Sequence, residues 1–177
     1  MKTVIVLAMH GAPPLDFPRN EMAEVMGAQH YDGHAQPSEQ EGMERDKQIR
    51  RQRVAALGAK MRAWPRTAEN DPFYAGSHEL AAHLAAVSGC DVLVGFNEFC
   101  DPTVPMALDA AAAEGAAKVV VITPMMTKGG EHSELDISSA VRSAQKRYPG
   151  VEIIYAWPFE VTNVAQFLAA QVERFTS

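Results

Sequence analysis

The stretch Thr3–Met9, TVIVLAM, is followed directly by His10 and Gly11. It contains Val and Ile without polar alternation, which is the pattern of a strand buried on both faces of a parallel sheet. Because the stretch ends at a histidine and a glycine, the imidazole is expected at the carboxyl edge of the sheet, where open α/β proteins bind their ligands. This segment therefore predicts the fold class and the edge at which chemistry occurs.

Three further apolar runs have the same composition and alternate with helical segments. The predicted strands cover residues 91–97, 118–123 and 151–157. The predicted helices cover about 19–29, 42–64, 77–87, 103–114, 133–147 and 161–175. The fifth of these helices is opened by Ser133 or Asp136. The alternation predicts a doubly wound α/β fold whose mainly four-stranded parallel sheet has the order 2-1-3-4 and is flanked by helices.

Length and composition predict one globular domain. The 177 residues are 47% hydrophobic and 21% charged, and the long connection after the first strand predicts a helical insertion at about 16–70. No apolar run approaches the ~20 residues of a membrane span, and the start of the chain does not resemble a signal peptide, so a cytoplasmic protein is expected. Cys90 and Cys100 flank a strand, which places them too far apart for a disulfide, and both are interpreted as structural thiols.

The charge is unevenly distributed. The net charge is −6, yet eight of the sixteen Lys and Arg residues lie between 45 and 66 together with one acid, Asp46. An acidic protein is not expected to bind nucleic acid, whereas a local basic patch can attract a compact polyanion. The alternative interpretation is the solvated face of a helix.

Two histidines and a carboxylate follow three of the predicted strands. His10 follows the first strand, Glu98 follows the second, and His132 lies in the loop after the third. With the strand order 2-1-3-4, the two histidines are expected on opposite lips of one crevice. Two imidazoles and a carboxylate can hold divalent Fe, Co, Ni or Zn with positions open for a substrate. Asp136, four residues after His132, is expected to orient that ring.

Other motifs are weaker. Gly129 and Gly130 precede a helix and could hold a phosphate, but no Walker lysine and serine accompany them. His30 and His34 lie in a polar loop and are interpreted as surface residues. Each site residue also has a structural interpretation: a histidine after a strand is often a surface group, and Glu98 could cap the next helix. A hydrolase is disfavoured because the sequence contains no Gly-x-Ser-x-Gly motif.

Three segments of the chain resemble the short sirohydrochlorin chelatases, of the CbiX and SirB type within the class II chelatase superfamily. The segments are VIVLAMHGAP at 4–13, GFNEFCDPTVPMAL at 95–108 and VVVITPMMTKGGEHSELDI at 119–137. The last is the most specific, since it has the family's Gly-x-His-x-x-x-Asp-Ile spacing in Gly130, His132, Asp136 and Ile137. The connection after the first strand departs from the family, because it is longer and basic here.

The resemblance implies a metal chelatase, a lyase that inserts Co²⁺, Fe²⁺ or Ni²⁺ into a sirohydrochlorin-type tetrapyrrole. It implies a homodimer, with the divalent metal as substrate and no organic cofactor. His10, His132 and Glu98 are the predicted metal ligands and catalytic groups. The residues predicted to bind the organic substrate or to support the ligands are Gly11, Lys128, Gly130 and Asp136, with Lys128 and the basic stretch attracting peripheral carboxylates. The alternative hypothesis is a metal or tetrapyrrole carrier without turnover.

Overall fold

The computed structural model describes residues 2–29 and 40–176. The chain divides into two compact units: the first comprises Met1–His10, Ser77–Asn97 and Pro102–Ser177, and the second comprises Gly11–Gly76 and Glu98–Asp101. The predicted insertion, about 16–70, falls within the second unit. The predicted polar loop, with His30 and His34, lies outside the described residues.

The first unit contains a four-stranded sheet in which every pairing is parallel. Its strands are β1 (Thr3–Met9), β2 (Asp91–Phe96), β3 (Lys118–Ile122) and β4 (Glu152–Tyr155). The order is β2-β1-β3-β4, as predicted. In the register, Val6 of β1 pairs with Leu93 of β2 and with Val121 of β3. The carboxyl ends of all four strands therefore lie at one edge.

Within residues 2–29 and 40–176, six helices connect or follow these strands. They are α1 (Arg19–Gln29), α2 (Gln40–Arg62), α3 (Pro72–Ser88), α4 (Val104–Ala113), α5 (Ile137–Arg147) and α6 (Val161–Glu173). A π-helical turn, His132–Asp136, leads directly into α5. None of the helices within the described ranges combines the length and apolar character that a membrane span requires.

The core of the first unit lies between the sheet and two helices. Val4 and Val6 of β1 and Val119 and Val121 of β3 are fully buried. Alternate residues of these strands pack in one cluster with Leu108 of α4 and residues of α5. The residues between them in β3, Val120 and Ile122, are only partly buried, so the face that α4 and α5 cover is the more deeply buried one. By contrast, the apolar residues Phe167, Leu168 and Val172 of α6 are more than half exposed, although their spacing predicts a buried face.

The start of α3 differs from the prediction. Ser77, expected to cap the helix, is a buried residue inside it. The helix begins at Pro72 instead, because the backbone N–H of Tyr74 donates to Asp71 Oδ1 at 2.9 Å. A proline at the first helical position is favourable because it has no N–H to leave unpaired. The remaining boundaries agree with prediction within a few residues.

The second unit has its own small core. Phe17, Val25 and Met61 are buried together, and the Phe17 and Trp64 rings meet edge to face with centroids 5.0 Å apart. Met61 and Trp64 belong to the apolar spacing that predicted the helix at about 42–64, which the structure shows as α2. Both cysteines are free, as predicted. Cys100 is buried, and its burial raises the pKa of the thiol to about 11, which fits a structural role.

Candidate metal centre

His10 is placed at the carboxyl edge by the end of β1. The backbone N–H of Asn97 donates to the Met9 carbonyl at 2.9 Å, which is the last pairing between β1 and the chain after β2. Gly11 follows His10 with a φ of +101°, a conformation that strains residues with a Cβ. The chain therefore turns away immediately beyond the imidazole.

His132 is placed by a tightly bonded turn after β3. The Gly130 carbonyl accepts from Ser133 Oγ at 3.0 Å and from the Glu134 N–H at 3.0 Å. The Gly129 N–H donates to Glu134 Oε1 at 2.7 Å. A Cβ on Gly130 would lie 3.1 Å from Ser133 Oγ, so the turn leaves little room there. These bonds fix the backbone from which the His132 ring projects.

The two imidazoles meet within the first unit. Their ring centroids are 4.6 Å apart, and the ring planes are inclined at 84°. Each ring offers a nitrogen that lies within 4.8 Å of one on the other ring. Two nitrogens that share one tetrahedral ion at about 2.1 Å lie about 3.4 Å apart. Small side-chain rotations would therefore suffice to let both rings bind one ion.

Asp136 contacts His132 as the spacing predicts. Its Oδ2 lies 2.7 Å from Nδ1 of His132. A carboxylate on one ring nitrogen orients the imidazole and fixes its tautomer, so the nitrogen that a metal would take is Nε2. Asp136 also lines a cleft of about 500 Å³ with Asn97 and Ser139.

Replacing Asp136 by asparagine is expected to weaken Co²⁺ binding by about 10- to 100-fold, because the His132 ring loses the carboxylate that orients it and raises its basicity. The dissociation constant is measured by titration with Co²⁺ followed by visible absorption. The control is Asp109→Asn: this carboxylate also binds a basic side chain, Arg147, at 2.6 Å. Its side chain is 47% exposed, against 52% for Asp136. Equal losses in both variants would contradict the role of Asp136.

Tyr155 supports the His132 turn from β4. Its hydroxyl donates to the Ser133 carbonyl at 2.8 Å. Burial, and to a lesser degree the nearby Glu134 charge, raises the pKa of Tyr155 to about 12. Sequence reasoning missed this residue, although its place at the end of the fourth strand puts it at the same edge as the histidines.

Tyr155→Phe is expected to lower the free energy of unfolding by about 1 kcal/mol, because the Ser133 carbonyl loses its donor. The folded state keeps the phenol proton up to about pH 12, whereas the unfolded state releases it near pH 10. Stability from this group is therefore complete below pH 10 and is lost as the pH rises toward 12. Urea unfolding at pH 8, 10 and 11 measures the free energy of unfolding of both proteins. The amount by which wild type exceeds the variant should shrink as the pH rises; an excess that grows with pH would contradict the assignment.

Glu98 belongs to the second unit, where it adjoins the residue after His10. A Cβ on Gly11 would lie only 2.0 Å from the Glu98 carbonyl oxygen. The two backbones are therefore in contact, and a glycine is required at position 11. The Glu98 carbonyl also accepts from the Cys100 N–H at 2.7 Å. The next residue, Phe99, has a positive φ of 59°.

A cleft of about 400 Å³ opens beside His132 in the first unit. Met125 and Met126 line it, together with Gly130 and Ser133. Methionine side chains are flexible and polarisable, so they can adapt to a large apolar ligand. Sequence reasoning did not select the methionines. Lys128 is exposed in the same loop and is not among the residues that line the cleft.

The basic stretch is less positive than its sequence indicates, because acids from elsewhere in the second unit pair with it. Ion pairs between described residues include four of its cations, and these pairs are Arg53 with Glu24, Lys60 with Glu21, Arg62 with Asp101 and Arg66 with Asp71. These four pairs reduce the net charge of the stretch, and its attraction of anions stays a prediction. The partners lie outside the stretch in sequence, which is why composition alone did not reveal the pairing.

A parallel α/β sheet with two imidazoles meeting at its carboxyl edge is an arrangement that could hold a divalent ion, since imidazole binds Fe, Co, Ni and Zn. The chain belongs to the CbiX family, whose profile matches residues 70–175, more than half of the chain. Membership confirms the resemblance, and two of its three motifs, at 95–108 and 119–137, lie within the matched range.

Known proteins similar to the chain include two from Priestia megaterium. A sirohydrochlorin cobaltochelatase is 39% identical over 70 residues, which is 40% of this chain and 22% of the relative. A sirohydrochlorin ferrochelatase is 31% identical over 68 residues, 38% of this chain and 25% of the relative. The chain thus matches about a quarter of the length of each relative.

Two solved structures are also similar. The sirohydrochlorin chelatase SirB from Bacillus subtilis subspecies spizizenii, in complex with cobalt, aligns with 89% of this chain and 44% of its own, at 17% identity and a TM-score of 0.44. A putative cobalamin biosynthesis CbiX protein from Marinobacter aquaeolei VT8 aligns over 99% of both chains, at 14% identity and a TM-score of 0.42.

Proposed function

We propose that this protein is a metal chelatase that inserts Co²⁺, Fe²⁺ or Ni²⁺ into a sirohydrochlorin-type tetrapyrrole. The observation on which this proposal depends is the meeting of His10 and His132, with ring centroids 4.6 Å apart, at the carboxyl edge of a parallel sheet. Family membership and the chelatase names of the two Priestia megaterium relatives support the same reaction.

In this proposal His10 and His132 bind the incoming ion, and Glu98 is the third ligand. Support for Glu98 comes from the backbone contact between Gly11 and Glu98 in the second unit, since Gly11 directly follows His10. Two nitrogens and a carboxylate oxygen leave coordination positions open, which an ion needs if it is to be passed to another ligand. The metal is a substrate, so the site must release it as well as bind it.

Metal insertion replaces two pyrrole N–H protons by one M²⁺ ion, so two protons must leave the macrocycle. A ligand released from the ion becomes a base at the moment when the macrocycle takes its place. Imidazole and carboxylate both serve as proton acceptors, and imidazole changes protonation near neutral pH. We assign proton uptake to one of the histidines or to Glu98.

The organic substrate is proposed to lie against the turn that bears His132. The cleft of about 400 Å³ lined by Met125, Met126 and Gly130 gives an apolar wall beside the metal ligands. Gly11 and Gly130 have no side chain that would obstruct a close approach of the substrate to the backbone. Lys128, exposed in the same loop, is proposed to contact a peripheral carboxylate of the substrate.

The proposal includes the homodimer that the family resemblance implies. Light scattering is expected to give a mass near twice the 19.3 kDa of one chain. A monomeric mass would contradict this part of the proposal and leave the metal site to be tested separately.

The reaction is tested by an anaerobic chelatase assay with sirohydrochlorin and Co²⁺, Fe²⁺ or Ni²⁺, with protein at a tenth of the substrate concentration. Loss of the free tetrapyrrole spectrum is expected to exceed one equivalent per chain. Spectral change that stops at one equivalent would support a carrier instead of an enzyme. The rate with each metal identifies the preferred ion.

A further inference from the structure

Arg66 is a buried cation in the second unit. Its side chain is 4% exposed, and its Nη1 lies 2.5 Å from Oδ2 of Asp71, which is 2% exposed. Arginine is rarely buried to this extent unless its charge is paired. The ion pair with Asp71 is one of the contacts of the guanidinium, and its other hydrogen bonds go to backbone carbonyls.

The guanidinium joins three separate backbone segments. Nη1 donates to the Ala12 carbonyl at 2.8 Å, and Nη2 donates to the Met61 carbonyl at 3.0 Å and to the Phe99 carbonyl. Ala12 is two residues beyond His10, and Phe99 directly follows Glu98. A single side chain therefore bonds to the segments that follow two of the proposed metal ligands.

The segment after Glu98 has a strained backbone. Phe99 has a φ of 59°, a conformation that a residue with a Cβ rarely adopts. Such conformations persist where surrounding contacts fix them, and they concentrate at functional sites. The Arg66 bond to the Phe99 carbonyl is such a contact. The residue before Phe99 is also held, because the Glu98 carbonyl packs against Gly11.

We propose that Arg66 is a positioning residue for the metal site: by bonding to Ala12 and Phe99 it holds the segment after His10 and the segment after Glu98 at a fixed separation. The inference rests on the proposed function, because it assigns Glu98 as a ligand. The planar guanidinium fork is suited to several carbonyls at once, whereas the lysine ammonium is a compact charge at the end of a flexible chain.

The test is a double-mutant cycle with Arg66→Lys and Glu98→Gln. Arg66→Lys retains the cation beside Asp71 but loses the fork. It is expected to weaken Co²⁺ binding by about 10- to 100-fold when Glu98 is present, the range found for residues that orient a metal ligand. In the Glu98→Gln background the same substitution should change the dissociation constant by less than about threefold, because the carboxylate whose separation from His10 Arg66 fixes is gone. Equal weakening in both backgrounds, or none in either, would overturn the proposal.

Two further variants separate positioning from stability. Arg53→Lys is the matched control: Arg53 also makes a two-bond contact with a carboxylate, Glu24, at 2.6 and 2.7 Å, but is exposed and does not bond to these segments. It should leave Co²⁺ affinity unchanged. Asp71→Asn removes the charge of the ion pair and leaves the carbonyl acceptors of Arg66 in place, so it should lower thermal stability with a dissociation constant within about twofold of wild type. If Arg66→Lys does not fold, this variant still tests the proposal, because a large loss of affinity in Asp71→Asn would attribute the effect to stability and count against positioning.

The failure of this inference is distinguishable from failure of the proposed function. If Co²⁺ binding depends on His10 and His132 but not on Arg66, only the positioning role is wrong. If Co²⁺ binding survives His10→Ala and His132→Ala, the metal site itself is wrong.

Discussion

Replacing His10 or His132 by alanine is expected to weaken Co²⁺ binding by more than about 100-fold, a larger effect than the loss of a residue that only orients a ligand. Each substitution removes one of two nitrogens that lie within 4.8 Å of each other. The chelatase rate should fall by at least about 100-fold in each variant, because the ion and a proton acceptor are lost together.

Equilibrium titration with Co²⁺ and the anaerobic insertion assay measure these losses in parallel. His83→Ala is the control, since His83 lies exposed on α3 and has no assigned role. The double variant should be little worse than either single variant if both rings hold the same ion. Two Co²⁺ ions bound by the wild type, with one retained at full affinity in each single variant, would indicate two independent sites.

Replacing Gly11 by alanine is expected to lower the free energy of unfolding by about 2–4 kcal/mol. The added Cβ would lie 2.0 Å from the Glu98 carbonyl oxygen, and the φ of Gly11 is +101°. Backbone atoms must therefore move, and they belong to the segments beside two proposed ligands. Co²⁺ affinity should fall together with stability, which urea unfolding and the same titration measure.

Gly76→Ala is the matched control for Gly11→Ala. Gly76 also lies in the second unit, within α3, and an added Cβ would meet nothing within 4 Å. Alanine there should leave stability unchanged or raise it by up to about 1 kcal/mol, because glycine is a poor helix former. If Gly11→Ala were as stable as Gly76→Ala, the close approach to Glu98 would not exist in the protein.

The sheet could be predicted because its signal is local. Val and Ile without polar alternation identify each strand, and the strands differ from prediction only at their ends. The start of α3 was missed because an unremarkable Asp71-Pro72 pair caps it, whereas the more conspicuous Ser77 lies inside the helix and is buried.

The histidine pair could also be predicted, because strand order alone brings residues after β1 and β3 to one edge. Asp136 followed from its spacing to His132. Other contacts join residues distant in sequence: Tyr155 bonds to Ser133, and Arg66 bonds to Ala12 and Phe99. No periodicity or motif encodes such pairs, so they required the folded structure. The carboxylates that pair with the basic stretch likewise lie outside it in sequence, so the stretch appeared more positive from its sequence than it is.

In the proposed function, His10 and His132 hold one divalent ion between them. A crystal of the protein soaked with Co²⁺ and measured at the cobalt absorption edge is therefore expected to show a single anomalous peak about 2.0–2.2 Å from a ring nitrogen of each histidine. A peak bonded to only one of the two rings, or cobalt bound elsewhere with this site empty, would contradict it.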